Sequence, residues 1–250
     1  MRGGGVRRHR IQSRQSLAEQ LAEDLLSDIV RGIYAPGSRL PPEPTLAEET
    51  GVSRLTLREA VKNLCQRGVL RVEQGRGTFV NPLDRWSPFD AAVLAARAAV
   101  TEDPTLFRQM IEIRRIVEVG VAGLAAGRRS DAHLTTMESA VGEMREAMAA
   151  GDLEWFTRAD MRFHDAIMTA AENPFTVALF EPIRALSYRV RRMTSETSPL
   201  QERAFSQHVS IMEAIRQGDA TGASGIMDEH LRTSEAIIED LATKQRRVQP

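Results

Sequence analysis

Four side chains in the second half of the chain hold the strongest potential for chemistry: Asp160, His164, His208 and His230. Asp160 and His164 stand four residues apart, which on a helix puts both on one face, within reach of a single ion. His208 sits amid Phe205, Val209, Ile211 and Met212, while His230 follows Ile226 and Met227 and precedes Leu231. Each is thus on or beside an apolar, inward stripe, where an imidazole has little reason to be without a partner. One carboxylate and three neutral imidazoles suit zinc first, with nickel or manganese as alternatives, and leave one or two positions for water or a ligand carboxylate. Composition and spacing leave a second reading open, in which the four are satisfied core residues. His9 in the N-terminal tail and His133 at a polar helix start offer no such pattern.

A different chemistry is written between Gly32 and Val80. Two short helical segments meet at Gly51, whose access to positive φ suits a tight turn, and Ser53 caps the second. On that second helix Leu57, Ala60, Val61 and Leu64 recur at helical spacing and pack inward, leaving Ser53, Arg54, Thr56 and Arg58 outward at its start. Arginine pairs with guanine O6/N7 or with phosphate, and hydroxyls hold phosphates or base edges, so this turn is expected in a DNA major groove. Gly68 stops the helix. Two β-prone runs, 69–73 and 78–81, flank Gln74-Gly75-Arg76-Gly77, the outline of a small wing with Gln74, Gly75 and Arg76 at its tip.

The elements that must position these groups follow from punctuation. Asn81 to Phe89, with Pro82 and Pro88, reads as a linker, and helices are expected at about 90–100, 104–127, 131–150, 152–172, 175–194, 199–217 and 219–245. Pro104, Pro174 and Pro199 begin helices, Asp152 caps one after Gly151, and Gly218-Asp219 separates the last pair. The expected organisation is a DNA-binding winged helix-turn-helix domain over 1–80, with 1–14 flexible, a linker over 81–89, and an all-helical effector-binding and dimerisation domain over 90–250. The fold class is mainly α: a winged helix-turn-helix followed by an all-α bundle of six or seven helices.

Composition fits this. The 250 residues are 42% hydrophobic and 27% charged, ordinary globular material for two domains. The net charge of −1 hides an asymmetry: residues 1–85 have 14 Lys and Arg against 10 Asp and Glu, leaving 19 against 24 in the remainder. The basic end is the DNA end. No 18-residue apolar run predicts a membrane span, and the basic MRGGGVRRHR start lacks the apolar stretch of a signal peptide. That tail reads as disorder, with a phosphate-brushing arm as the alternative. Cys65 is the lone cysteine, which excludes an intramolecular disulfide and fits a reducing cytoplasm, the expected location.

The N-terminal segment resembles the DNA-binding domain of GntR-family bacterial transcription regulators. The resemblance rests on the helix with Leu17, Leu21, Leu25 and Ile29, on Pro36-Gly37-Ser38-Arg39-Leu40-Pro41, on Leu46-Ala47-Glu48, on Gly51-Val52-Ser53-Arg54, on Thr56-Leu57-Arg58-Glu59-Ala60 and on Gly68 through Val80. Two positions depart from the family pattern. Pro42-Glu43-Pro44 stands where Ser-Glu-Arg is usual, and Leu55 where a small polar residue is usual, so the resemblance does not give the operator sequence. The second half, over about 104–240, resembles the FCD ligand-binding domain of FadR-type members. The carrying segments are Glu112 through Glu118, Asp160 through Ile167 with Asn173-Pro174, His208 through Ile215 with Gly218-Asp219, and His230.

The second resemblance implies that Asp160, His164, His208 and His230 coordinate one divalent metal ion per chain at the floor of a cavity, and that Arg114 faces a small carboxylate metabolite there; the alternative for Arg114 is an exposed arginine or one paired with Glu118, four residues on. Arg162 and Asn173, with Arg184 and Tyr188, are further expectations for the cavity wall, whereas Arg115, Arg189, Arg191 and Arg192 are read as solvated faces or interface. The function expected is a homodimeric repressor, since one wing and helix read only a few base pairs and specificity needs two copies on a short palindromic operator. No membrane partner is expected. Two alternatives stand beside it: a metal-sensing regulator with no organic effector, and a metal-dependent enzyme activating water or oxygen. Against the enzyme, no nucleophile motif or general base accompanies the four residues, and an enzyme has no use for the Gly32–Val80 segment.

Overall fold

The computed structural model describes residues 16–100 and 104–248, with side chains described up to residue 244; the 1–14 tail and His9 lie outside the described residues. The chain divides into two compact units, 1–100 and 101–250.

The first unit contains helices α1 (Leu17–Val30), α2 (Glu43–Thr50) and α3 (Arg54–Gln66), a hairpin of β1 (Leu70–Glu73) and β2 (Gly77–Val80), and helix α4 (Ala91–Val100). Ser16 caps α1 in a capping box with Glu19, and Gly51, at φ 66°, ends α2 in the left-handed conformation required of the tight turn. The hairpin is antiparallel, pairing Leu70 with Val80 and Glu73 with Gly77. A side chain at Gly68 would drive a Cβ to within 2.2 Å of the Arg85 carbonyl oxygen, so only glycine fits that helix stop. Leu21, Leu25, Leu26, Ile29, Leu57, Leu64, Leu70 and Val80 form one core.

The segment expected to be a linker belongs to this unit. Trp86 is buried in the same core, its Nε1 donating to the Asn81 carbonyl at 3.0 Å, and Ser87 N donates to Arg67 O at 2.8 Å. Helix α4, expected to open the C-terminal bundle, places Val93 in that core with Ala92 and Ala96 against it. The apolar side of a ten-residue Ala-rich helix carries no mark of which core it joins, so the division falls after Val100 rather than at 81–89.

The second unit contains α5 (Pro104–Arg128), α6 (Asp131–Ala150), α7 (Leu153–Ala170), α8 (Pro174–Phe180), α9 (Arg184–Thr194), α10 (Ser198–Gln217) and α11 (Ala220–Val248). The expected single helix over 175–194 is broken: Glu181–Ile183 form a 3-10 turn, because Pro182 lacks the N–H that would continue the α-helical ladder and its ring crowds the preceding turn. Helix α5 packs closely on α11, where a Cβ at Gly123 would meet Ser224 Oγ at 2.6 Å. The core joins Val121, Ala122 and Ala125 of α5, Met137 and Met144 of α6, Phe156, Phe163 and Ile167 of α7, Ile211 and Ile215 of α10, and Met227 and Leu231 of α11. Among the described residues no helix is long and apolar enough to cross a membrane.

Candidate functional site

Helix α7 buries Phe156, Ala159, Asp160, Phe163, His164, Ala166 and Ile167, a run at helical spacing that puts Asp160 and His164 on the inward face. His208 arrives from α10 and His230 from α11, both buried. One ring nitrogen from each of His164, His208 and His230 lies within 4.8 Å of the other two. His164 Nε2 is 3.2 Å from His208 Nε2, and Asp160 Oδ1 is 3.3 Å from the first and 3.4 Å from the second. The structure therefore brings together all four residues singled out in the sequence.

Two of the three rings have an outer acceptor beside Nδ1. His164 Nδ1 lies 2.6 Å from Glu118 Oε2 and His230 Nδ1 is 3.0 Å from Gln207 Oε1, so an acceptor oxygen stands against the Nδ1 of each ring, an arrangement that suits a proton on Nδ1 and a bare Nε2. His208 Nδ1 is buried with no hydrogen-bond partner among the described residues. Burial holds the His208 pKa down to about 3, reinforced by nearby guanidinium and imidazole groups although Asp160 opposes it, and burial with His208 and His164 holds His230 well below its ordinary value. These imidazoles stay neutral where they would otherwise begin to charge. Three inward nitrogens beside an ionised carboxylate fit a divalent metal, with Glu118 and Gln207 orienting the rings.

Two buried guanidinium groups complete the centre. Arg114, only 1% exposed, donates from Nε to Glu118 Oε1 at 2.6 Å, while its Nη1 and Nη2 have no partner among the described residues. Arg191 of α9 reaches Asp160 Oδ1 at 3.2 Å and Glu118 Oε1 at 3.3 Å, with its Nε unpartnered. Burial alone would raise the Glu118 carboxyl, but Arg114, His164 and Arg191 outweigh it and hold it well below the usual range; Asp160 is likewise held down against burial, by Arg191, His208 and His164. Burial and the neighbouring Arg191 lower Arg114. Two carboxylates balance two guanidinium groups before any ion is added.

Arg191 borders two cavities. One, of about 10 Å³ and room for roughly one water, is lined by Arg114, Asp160, Arg191, Gln207, His230 and Ser234 among others. The second, of about 210 Å³, is lined by Met161, His164, Met168, Phe180, Ser187 and Arg191 among others, and the buried Ser187 Oγ is without a partner.

Other expectations fall differently. Arg191, read as a solvated or interface arginine, is 3% exposed at the centre, which the basic run Arg189-Val190-Arg191-Arg192 disguised. Arg162, expected in the cavity wall, is half-exposed and paired with Glu143, because it follows the inward residue Met161 and turns to the outer side of α7. Asn173 caps α8, accepting from Phe175 N at 3.1 Å, and lines neither cavity. Arg184 lines the larger cavity and pairs with Asp165 at 2.7 Å. Tyr188 bonds Glu154 at the surface. The pairing of Arg114 with Glu118 that their spacing allows is present, whereas the contacts of Glu118 with His164 and Arg191, and of Gln207 with His230, join distant segments and leave no mark in the sequence.

In the first unit, Ser53 Oγ accepts from Thr56 N at 3.1 Å and is 2.8 Å from Thr56 Oγ1, so both hydroxyls serve the cap of α3. Arg58 is exposed, its Nε on Glu43 Oε2 at 2.8 Å. Arg54 is exposed, with no ion pair among the described residues. At the hairpin tip Gln74 and Gly75 are exposed, and Arg76 is exposed and paired with Glu73, its guanidinium 5.7 Å from the Phe79 ring centroid. A glycine-flanked arginine at a hairpin tip and an exposed helix start that bears arginines are each suited to backbone or groove contact on DNA.

Both units match known protein families. Residues 17–80 match the bacterial regulatory proteins of the gntR family, and residues 109–233 match the FCD domain. The chain is 32% identical to the galactonate operon transcriptional repressor of Escherichia coli (strain K12) over 82% of this chain and 89% of that one. It is 31% identical to the HTH-type transcriptional regulator LutR of Bacillus subtilis (strain 168), over 84% and 95%. The structure of Lar from Listeria monocytogenes, 21% identical, covers 92% of this chain and 100% of its own with a TM-score of 0.60, which shows a shared fold.

Proposed function

The chain belongs to the gntR family of bacterial regulatory proteins and is a DNA-binding transcriptional regulator with an FCD domain, not an enzyme, and from that premise we propose that it is a homodimeric repressor. In this reading its grip on a short palindromic operator is set by a small organic acid bound over one divalent metal ion per chain. The observation that carries the reading is the convergence of three buried imidazole nitrogens within 4.8 Å, beneath an Arg114 whose Nη1 and Nη2 are buried and unpartnered. His164, His208 and His230, with Asp160, would hold the ion, zinc being the first candidate and nickel or manganese the others. An ion there supplies a double positive charge against which a carboxylate is anchored.

Charge balance favours an organic acid over the metal alone as effector. Arg114 and Arg191 are already matched by Glu118 and Asp160, so a divalent ion leaves the buried centre in positive excess, a costly state unless an anion joins it. Arg114 offers its free fork to a carboxylate in bidentate fashion. Arg191 is the second recognition group: it borders both cavities and can pass from Asp160 to an acid that enters beside Arg114. Because the cavity beside Arg114 holds only about 10 Å³, the acid must displace part of α9 or α10 to enter, and that displacement is what operator binding would sense. The name of the galactonate operon repressor makes sugar acids the first class to try.

The DNA side rests on α3, with Arg54 and Arg58 toward the major groove, Ser53 and Thr56 shaping the helix start, and the Gln74-Gly75-Arg76 tip on the backbone or minor groove. The test is fluorescence anisotropy on an operator enriched from a random duplex library. Sugar acids, lactate, glycolate and dicarboxylates are titrated with and without divalent metal. Release by an acid only when metal is present supports the reading. Release by metal alone would make the ion the effector.

A further inference from the structure

Leu55 is 71% exposed although it lies in the first turn of α3, flanked by Arg54 and three residues before Arg58. Positions 55, 58, 59 and 62 share one helical face, and its other members are Arg58, Glu59 and Lys62, all exposed. A large aliphatic side chain alone on a charged face loses hydrophobic free energy in the free protein and regains it only when something apolar covers it. The neighbouring hydroxyls are partly engaged, Ser53 Oγ and Thr56 Oγ1 bonding each other at 2.8 Å while Ser53 caps the helix. Arg58 is tethered through Nε to Glu43. At this end of α3 the side chains left uncommitted are Arg54 and Leu55, one cationic and one apolar.

We propose that Leu55 is a specificity-determining residue that reads thymine, its methyl groups packing on the C5-methyl of a thymine in the major groove. The C5-methyl is the one apolar feature of a base edge in that groove, and it is what an aliphatic side chain distinguishes there. The neighbouring guanidinium groups of Arg54 and Arg58 supply attraction to DNA that the leucine lacks, so the face suits a nucleic acid better than an apolar protein surface. The inference rests on α3 being the reading helix. With Arg54 directed at a guanine, each half-site would hold a guanine and a thymine in adjacent or near-adjacent steps.

The experiment begins with the operator enriched from a random duplex library by the full-length protein. Each thymine of a half-site is then replaced singly by deoxyuridine, which keeps the pairing and removes only the methyl group. For the wild type, one replacement per half-site should weaken binding about fourfold, the effect expected from losing burial of one methyl group. In Leu55→Ser that same replacement should have no effect, with helical content unchanged because the residue is exposed. The proposal is overturned if no deoxyuridine position weakens the wild type, if Leu55→Ser retains the same penalty, or if Leu55→Ser instead changes self-association in sedimentation. Arg54→Ala, run in parallel, separates the two levels. If it keeps wild-type operator preference, α3 does not read the bases and the underlying reading fails with the proposal. If it loses that preference while deoxyuridine has no effect, only the role of Leu55 is wrong.

Discussion

The two units treat their charged residues in opposite ways. In the first, an apolar core from α1, α3, the hairpin and α4 holds the fold, and the arginines proposed to meet DNA, Arg54, Arg58 and Arg76, stay in water with partly exposed partners or none among the described residues. Exposed ion pairs of this kind contribute ~0–1 kcal/mol to stability, so those side chains are free to be spent on DNA. In the second, Arg114, Glu118, Asp160, Arg191 and the three histidines are all buried, and each is held by several others. On the proposed function, activity and stability are separable in the first unit and fused in the second. The two tryptophans allow each to be followed alone, since Trp86 belongs to the first unit and Trp155 to the second.

The largest effect should come from Glu118, which serves Arg114, Arg191 and His164 together. Glu118→Gln leaves two buried guanidinium groups short of a counter-charge and should cost ~3–5 kcal/mol of stability. In urea unfolding followed by Trp155 the midpoint should drop, while the Trp86 signal in the same variant should hold its wild-type midpoint. If both signals shift equally, the two units are not independent and the contrast fails.

Acid should produce the next effect, again in the second unit. His208 has its folded pKa lowered to about 3 from 6.5, so below pH 6.5 the unfolded chain takes up a proton that the folded chain refuses. The stability it contributes is complete above that pH and is lost as the pH falls toward 3, and His230 acts in the same direction. Glu118 and Asp160, held low when folded, add a further loss below their ordinary values of 4.5 and 3.8. For metal-stripped protein, each histidine should add a slope of ~1.4 kcal/mol per pH unit to the Trp155 transition below pH 6.5. A flat stability between pH 6.5 and 5 would mean that these imidazoles are not held neutral by burial.

The smallest effects on the fold belong to the exposed arginines. Arg54→Ala should weaken specific operator binding by ~1–3 kcal/mol and Arg76→Ala should lower the salt slope of binding by about one, both without moving either melting transition. A loss of thermal stability in either variant would show that the first unit also ties its functional charges to its fold.

The contrast also explains what the sequence made legible. Local punctuation was readable: Gly51, Ser53 and Gly68 each do at their own position what their types imply, and Asp160 and His164 lie within one helical turn. His208 and His230 could be suspected because polar rings on apolar stripes conflict with their surroundings. What escaped depends on which distant elements meet. Arg191 and Glu118 are 73 residues apart, and Arg191 belongs to a charged run that looks solvated. His230 finds Gln207 across 23 residues. Helix α4 joins the first core although nothing in its sequence says so, because alanine-rich faces pack on many surfaces, and Pro182 breaks a helical pattern that is otherwise continuous.

The most direct test of the account is elemental analysis of purified protein, paired with melting of the Trp155 signal before and after chelation. The wild type should contain about one divalent ion per chain, and His208→Ala and His230→Ala should contain none. Chelation should lower the wild-type transition, by ~4 kcal/mol where the free ion stood a thousandfold above its Kd, and should leave both variants unchanged. Protein that carries no metal and melts identically with and without chelator would contradict the account, and the histidines would then be core residues holding one another.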